Sequence, residues 1–251
     1  MRYSKIFLAL VVMSFSFAAN ANILGTVDMS YSGYGAVDSM TIWGGGREGL
    51  IVYGGLYMFD KTGSTGQGDY LNDGPVGVFC MDLSQWLAQE ERTYNVINPA
   101  EGPVPDVFLG GGIGQQKASY LSELWGRYYD SSWLDVGGHS SGENKYAGAF
   151  AAAMWEIIYE DMPVASADWN VKKDGTAGAL GFRAEGLDYR TANLWLHSLD
   201  GTGPMANLYG LSNGCAQDFI TEFQVPEPAT VMLLGFGLMM MVRPKVHGSR
   251  G

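Results

Sequence analysis

The strongest constraint on this 251-residue chain is a short apolar run near each end, because these runs leave only the residues between them to form a folded body. At the start, Arg2 and Lys5 precede the apolar residues 6–17, and Ala19-Asn20-Ala21 supplies a small-residue cleavage site. This order is typical of a secretory signal peptide, which we assign to residues 1–21. We therefore expect an exported protein.

The folded body is expected over residues 22–224, a length that suits one domain or two small domains packed together. Five of the 15 lysines and arginines lie in the terminal segments, so the body is more acidic than the whole-chain net charge of −11 indicates. Such an acidic surface argues against nucleic acid and against anionic membrane as partners.

The first part of the body, residues 23–110, has the pattern of short β-strands separated by glycine-rich turns. Val27, Met29 and Tyr31 alternate with polar residues. Further strand-like segments lie at 50–53, 56–59 and 76–80, and the glycine clusters that predict turns lie at 44–46, 54–55 and 63–68. Short strands with such turns predict a small barrel or sandwich.

The second part, residues 115–200, has helical periodicity. Apolar residues recur at helical spacing in three stretches, which contain Trp125, Phe150 and Trp195. Residues 217–224 then alternate like a final strand. The order of strands, helices and a last strand predicts an α+β protein.

The second of these helices also contains the acidic residues that are candidates for catalytic groups. Ser140 and Glu143 have the spacing of a capping box that begins it. Glu156 and Glu160 can pair as the acid and base of a polysaccharide hydrolase, but we expect them on the solvated face of the helix. No set of nucleophile, base and orienting group is visible, so we do not expect an enzyme.

Metal and cofactor sites are not indicated either. His139 and His197 are the histidines of the body, and neither has a metal-ligand neighbour at helical spacing. The Gly-Gly-Gly segment at 44–46 lacks the Lys-Ser/Thr that would reach phosphate and a metal ion. We predict no metal and no cofactor.

The C-terminal tail has three parts in a fixed order. Pro226, Glu227 and Pro228 are followed by the apolar residues 231–242 and then by a basic end that begins at Arg243. As a helix, the apolar run would reach about 18 Å, which is short of a hydrocarbon core of about 30 Å. A plain C-terminal anchor is the alternative, but so short a run suits a processed signal better.

This tail, residues 225–251, resembles the PEP-CTERM sorting signal of Gram-negative bacteria. The resemblance implies export through the Sec machinery, a transient inner-membrane contact through residues 231–242, and recognition by an exosortase. It also implies delivery to the outer surface of the cell or to an extracellular matrix. Pro226, Glu227 and Pro228 are the motif residues that the exosortase would recognise.

A second resemblance concerns the body. Phe79-Cys80-Met81-Asp82-Leu83 and Ala153-Met154-Trp155 resemble motifs of thioester-type surface domains. In that family a cysteine couples to a glutamine four residues before the tryptophan, and the internal thioester then reacts with a surface nucleophile. Ala151 stands at the glutamine position and has no carboxamide. We therefore predict the fold without the thioester.

The two cysteines of the body, Cys80 and Cys215, leave two alternatives open. A disulfide between them is the default in an oxidising compartment. Otherwise, Cys80 is a buried thiol. The sequence alone does not show whether the two Cα atoms lie close enough for a disulfide.

The function that we expect is non-catalytic adhesion or association with exopolysaccharide at the cell surface or in the matrix. The seven tryptophans and 14 tyrosines can form a sugar-stacking face or fill a core. The alternatives are a covalent adhesin, in which Cys80 forms a thioester with an unexpected glutamine, and the hydrolase considered above.

Overall fold

The computed structural model describes residues 21–104, 108–109, 111–135, 137–160, 166–173 and 181–223. The sorting segment and all but Ala21 of the predicted signal peptide lie outside these residues. The strands are β1 (Gly25–Gly44), β2 (Arg47–Gly66), β3 (Gly74–Cys80), β4 (Arg92–Ile97), β5 (Arg183–Glu185), β6 (Leu208–Asn213) and β7 (Ala216–Glu222). The helices are α1 (Gly114–Tyr128), α2 (Ser141–Tyr159) and α3 (Tyr189–His197).

The strands form an antiparallel sheet that closes on itself. β1 pairs with β2 along its whole length, and its first residues also pair with β4. The other neighbours are β2 with β3, β3 with β7, β7 with β6, and β6 with β4, while β5 pairs with the far end of β1. Six strands therefore close into a barrel, which is one of the two β architectures that the sequence predicts. Together with the three helices, it confirms the α+β class.

The interior of the barrel is filled by aromatic rings from strands that are not neighbours. Phe59 of β2, Tyr94 of β4 and Phe219 of β7 have ring centroids between 5.1 and 6.3 Å apart. All three side chains are buried. Burying one such side chain contributes about 1.5 to 3 kcal/mol, so this cluster is a main support of the barrel.

The helices pack on the outside of the barrel. Side chains alternate between the two faces of β3, and Phe79 points outward whereas Cys80 points inward. The Phe79 ring lies 5.5 Å from that of Trp125 on α1 and 4.9 Å from that of Phe150 on α2. A second aromatic core therefore joins the helices to the sheet.

Helix α2 begins at the predicted capping box. Ser140 Oγ accepts a hydrogen bond from the backbone N–H of Glu143 at 3.2 Å, and the Glu143 carboxylate accepts one from Ser140 N at 2.7 Å. Both unpaired N–H groups are satisfied in this way, which fixes the first turn of the helix.

Small residues let α2 lie close to the barrel. A Cβ atom added at Gly54 would lie 2.4 Å from Met40 Cε and 3.4 Å from the Cβ of Ala151 on the helix. One added at Gly148 would lie 2.6 Å from Asp38 Cβ. Ala151 therefore faces a tightly packed strand, and a glutamine side chain would not fit there without displacing its neighbours.

The glycine clusters have two different roles. The turn predicted at 44–46 is confirmed, since Gly45 and Gly46 connect β1 to β2 with positive φ angles of 55° and 77°. The turns predicted at 54–55 and 63–68 are wrong for most of their length, because β2 continues to Gly66. Gly54 and Gly55 are close-approach positions within the strand.

Candidate functional site

A pocket of about 210 Å³ lies between the β1–β2 pair and the segment that follows β3. We call residues 81–87 the 81–87 segment. The pocket is lined by Tyr34, Ile42, Arg47, Leu50, Ile51, Val52, Tyr53, Tyr57, Cys80, Leu83, Gln85, Trp86, Leu87, Trp155 and Gln217. It contains the thiol that the sequence singled out, and it is our candidate functional site.

Cys80 lies at the end of β3, where the strand passes under the 81–87 segment. Its side chain is buried, and its Sγ donates a hydrogen bond to the carbonyl oxygen of Asp82 at 3.3 Å. Burial raises the pKa of the thiol well above its ordinary value, and the nearby Asp82 carboxylate raises it further. The resting thiol is therefore protonated.

Trp155 fixes this cysteine to helix α2. Its indole Nε1 donates a hydrogen bond to the carbonyl oxygen of Cys80 at 2.9 Å. The two sequence motifs that we singled out, around Cys80 and around Trp155, are thus in direct contact. Ala151 lies one turn earlier on the helix, against Gly54 rather than in the pocket.

Gln217 brings a carboxamide to the same place from strand β7. Its Nε2 donates a hydrogen bond to the carbonyl oxygen of Asp82 at 3.2 Å, which is the oxygen that also accepts from Cys80 Sγ. The amide and the thiol are therefore neighbours around one oxygen atom. Gln217 Oε1 is buried and accepts no hydrogen bond in the described part of the chain.

Sequence reasoning missed Gln217 as a partner of Cys80 because it looked for a glutamine in the helix. The signal lies in the strand register. Cys80 pairs with Phe219, and Gln217 is two residues earlier on the same face of β7. Since β3 and β7 are far apart in the chain, this pairing is a property of the closed sheet.

The 81–87 segment is held in place by Arg47 and Tyr159. The Arg47 guanidinium donates to the carbonyl oxygens of Leu83 at 2.6 Å and Ser84 at 2.9 Å. The Tyr159 hydroxyl accepts a hydrogen bond from Leu83 N at 2.9 Å. These contacts make the carbonyl oxygen of Asp82 a fixed acceptor above the thiol.

Two buried carboxyl groups lie next to the pocket. Asp82 accepts hydrogen bonds from both the N–H and the hydroxyl of Ser84 at 2.7 Å, while burial raises its pKa. Asp218 accepts hydrogen bonds from Val104 N at 2.6 Å and Asn213 N at 2.7 Å. Burial outweighs these two donors and raises the pKa of Asp218 to about 8.

The mouth of the pocket is aromatic. Trp86, Tyr53 and Tyr34 are 64%, 53% and 39% exposed, and all three line the opening together with the exposed Ile51. The Arg47 guanidinium lies 4.2 Å from the centre of the Trp86 ring, a cation–π contact.

The two cysteines are free thiols in the structure. Cys80 is buried at the end of β3, whereas Cys215 is exposed on the turn between β6 and β7. Of the two alternatives left open by the sequence, the structure has the buried thiol rather than the disulfide.

The predicted outward position of Glu156 is wrong. Its side chain is buried, and its Oε1 accepts a hydrogen bond from Asn170 N at 2.7 Å. The carboxylate anchors the chain after α2 to the helix, which a 3.6-residue pattern alone does not show. Glu160 is half-buried at the end of the helix.

The two histidines lie away from the pocket. His197 Nε2 lies 2.8 Å from the carbonyl oxygen of Trp169. Across the residues that the structure describes, no three His, Cys, Asp or Glu side chains form a group that could hold a metal ion.

Comparison with known proteins identifies the tail. Residues 224–243 match the family described as the PEP-CTERM protein-sorting motif, and this match includes Pro226, Glu227 and Pro228. The motif implies an exported, envelope-associated protein that is sorted by an exosortase. None of the helices in the described ranges is long and apolar enough to cross a membrane.

The body has no such match. Comparison with curated proteins and with solved structures finds no match. The resemblance to thioester-type domains is therefore not supported by any of the comparisons.

Proposed function

We propose that this exported protein acts in adhesion or exopolysaccharide association outside the cell, and that it attaches covalently through an internal thioester between Cys80 and Gln217. One observation carries the proposal: the Cys80 thiol and the Gln217 carboxamide both bind the carbonyl oxygen of Asp82. This pairing differs from the family pattern, in which the glutamine would stand at Ala151.

The bond-forming step needs no cofactor and no oxidant. Cys80 Sγ attacks the side-chain carbonyl carbon of Gln217, the carbon–nitrogen bond of the amide breaks, and the nitrogen leaves as ammonia with the thiol proton. A surface amine can then attack the same carbon. An amide bond forms to the amine, the carbon–sulfur bond breaks, and the amine proton returns to Cys80.

The pocket supports this chemistry by proximity. Holding two reacting groups side by side replaces a bimolecular encounter with an intramolecular step, which can lower a barrier by about 7 to 11 kcal/mol when the alignment is good. Burial also limits access of water to a thioester, which protects it from hydrolysis. The mouth, lined by Trp86 and Tyr53, is the route by which a nucleophile would enter.

Intact mass of the exported protein tests the proposal. We expect the mass to be lower than that of the unmodified polypeptide by one ammonia, and we expect methylamine to add and open the bond. Cys80→Ser and Gln217→Ala should each abolish the deficit and the uptake of methylamine.

Gln85→Ala is the matched control, because Gln85 lines the same pocket without contacting the thiol's hydrogen-bond acceptor. That variant should keep the deficit. Full mass in the unmodified protein, with no uptake of methylamine, would reject the covalent mechanism. A deficit that survives in Gln217→Ala would assign the bond to another residue.

A further inference from the structure

We infer that the mouth of the pocket is a binding subsite for a neutral sugar residue of a polysaccharide. The inference rests on the proposed surface role of this pocket, although it does not require the thioester bond. The subsite consists of an aromatic wall, two unpartnered amide oxygens and a lining that offers no free charge.

The aromatic wall is formed by the β1–β2 pair and the 81–87 segment. Tyr34 and Tyr53 lie 5.5 Å apart between ring centroids, and the buried Tyr57 lies 5.4 Å from Tyr34. Trp86 is the most exposed ring of the group. Exposed rings at the opening of a cavity present flat apolar faces, which suit the apolar face of a pyranose ring.

The polar part of the pocket consists of hydrogen-bond acceptors. The Oε1 atoms of Gln85 and Gln217 are both buried, and neither accepts a hydrogen bond within the described ranges. A buried acceptor without a partner is unfavourable, and rotation of either side-chain amide toward the pocket would let a ligand that donates hydrogen bonds relieve this cost. Sugar hydroxyl groups are such donors, whereas a hydrocarbon chain would leave both oxygens unpaired.

The charges around the pocket favour a neutral ligand. Arg47 is the charged residue in the lining, and its guanidinium already donates to the carbonyl oxygens of the 81–87 segment. Among the described residues, no carboxylate lines the pocket to pair with a cationic ligand. An acidic polysaccharide would be repelled by the body, which is more acidic than the whole-chain net charge of −11 indicates.

The test is titration of the exported protein in a Cys80→Ser background, which excludes covalent capture. The probes are neutral gluco- and galacto-oligosaccharides, an oligogalacturonate as the acidic counterpart, and an uncharged Ser/Gly-rich peptide. Binding is followed by tryptophan fluorescence and by calorimetry. We expect a neutral oligosaccharide to bind and the acidic one to bind more weakly.

Trp86→Ala and Tyr53→Ala should each weaken binding about ten-fold or more, because each removes a large contact face. Leu194→Ala is the control, since Leu194 is 68% exposed on α3 and does not line the pocket. If loss of Trp86 disturbs the 81–87 segment, Tyr53→Ala still tests the subsite, because Tyr53 lies on β2 and not in that segment. Melting curves identify a variant that fails to fold.

Three results would overturn the inference. The first is that neutral oligosaccharides fail to bind at concentrations up to about 10 mM, which would correspond to negligible affinity. The second is that Tyr53→Ala and Trp86→Ala bind the oligosaccharide as well as the parent protein does. Binding of the peptide alone would assign the mouth to a protein partner. None of these results bears on the mass deficit, so failure of the sugar subsite and failure of the thioester are distinguishable.

Discussion

Two buried polar sites in this protein differ in how completely their hydrogen bonds are satisfied. Glu123 on α1 is fully buried, and its carboxylate accepts from Arg127 Nε at 2.8 Å, Gly201 N at 2.7 Å and Gly203 N at 3.2 Å. Around the pocket, by contrast, the side-chain oxygens of Gln85 and Gln217 are buried without partners in the described residues.

The contrast separates a structural site from a functional one. A satisfied buried network holds two parts of a fold together, here α1 and the residues after α3. Unsatisfied acceptors in a pocket cost stability and are retained where a ligand or a reaction uses them. Four substitutions, in order of decreasing expected effect on stability, test the roles of these buried groups.

Replacing Glu123 should be strongly destabilising. Glu123→Ala removes the acceptor of the Arg127 side chain and of the N–H groups of Asp200, Gly201 and Gly203, and we expect a loss of about 3 to 5 kcal/mol in the free energy of unfolding. Urea denaturation measures this loss. Exposed Glu185→Ala serves as the control and should change stability little. A loss below about 1 kcal/mol for Glu123→Ala would contradict a structural role for this site.

Asp218 should make the protein less stable as the pH rises. Its pKa in the folded protein is about 8, above the ordinary value of 3.8, so the folded state keeps a proton that the unfolded chain releases. The contribution of Asp218 to the free energy of unfolding is therefore greatest below pH 4. It falls between pH 4 and pH 8 by up to about 1.4 kcal/mol per pH unit.

The measurement is urea denaturation of the parent protein and of Asp218→Asn at several pH values across that range. The variant should lose this part of the slope. It should also be less stable at acidic pH by about 1 to 3 kcal/mol, because one oxygen that accepts an N–H becomes an NH₂ group. Parallel curves for the two proteins would contradict the raised pKa.

Ala151→Gln tests whether the helix position can take the role that the family resemblance gives it. Because Ala151 packs against Gly54, we expect overpacking to cost about 1 to 3 kcal/mol and no new thioester to form. In the Gln217→Ala background, intact mass should therefore remain at its full value. A mass deficit in the double variant would place a reactive glutamine on α2.

The smallest effect is expected at Gln217. In the Cys80→Ser background, which has no cross-link, Gln217→Ala removes one hydrogen bond at 3.2 Å and should change stability by less than about 1 kcal/mol. The same substitution should abolish the mass deficit in the parent protein. A large loss of stability in the Cys80→Ser background would make Gln217 a structural residue like Glu123.

Local patterns were reliable where the physical cause is local. The capping box at Ser140 and Glu143 depends on four consecutive residues, and it is present as predicted. The turn at 44–46 depends on glycines that accept positive φ, and it too is confirmed. Helix α1 begins at Gly114, within one residue of the predicted start, because its apolar spacing is regular.

Patterns failed where distant segments decide the environment. Gly54 and Gly55 look like a turn in the sequence, but α2 and β1 need small residues at these positions of a long strand. Glu156 looks like a surface residue, but Asn170 donates to it from the following segment. A helical period identifies an apolar face and does not show which polar residues a later segment will cover.

The sequence by itself determined the compartment and the class of fold. The sorting motif is a linear signal that is read in order along the chain, and strand and helix patterns follow from spacing between near neighbours. Tertiary structure alone decided the site. Cys80 meets Gln217 because closure of the barrel pairs β3 with β7, strands separated by more than a hundred residues, and no local rule specifies that pairing.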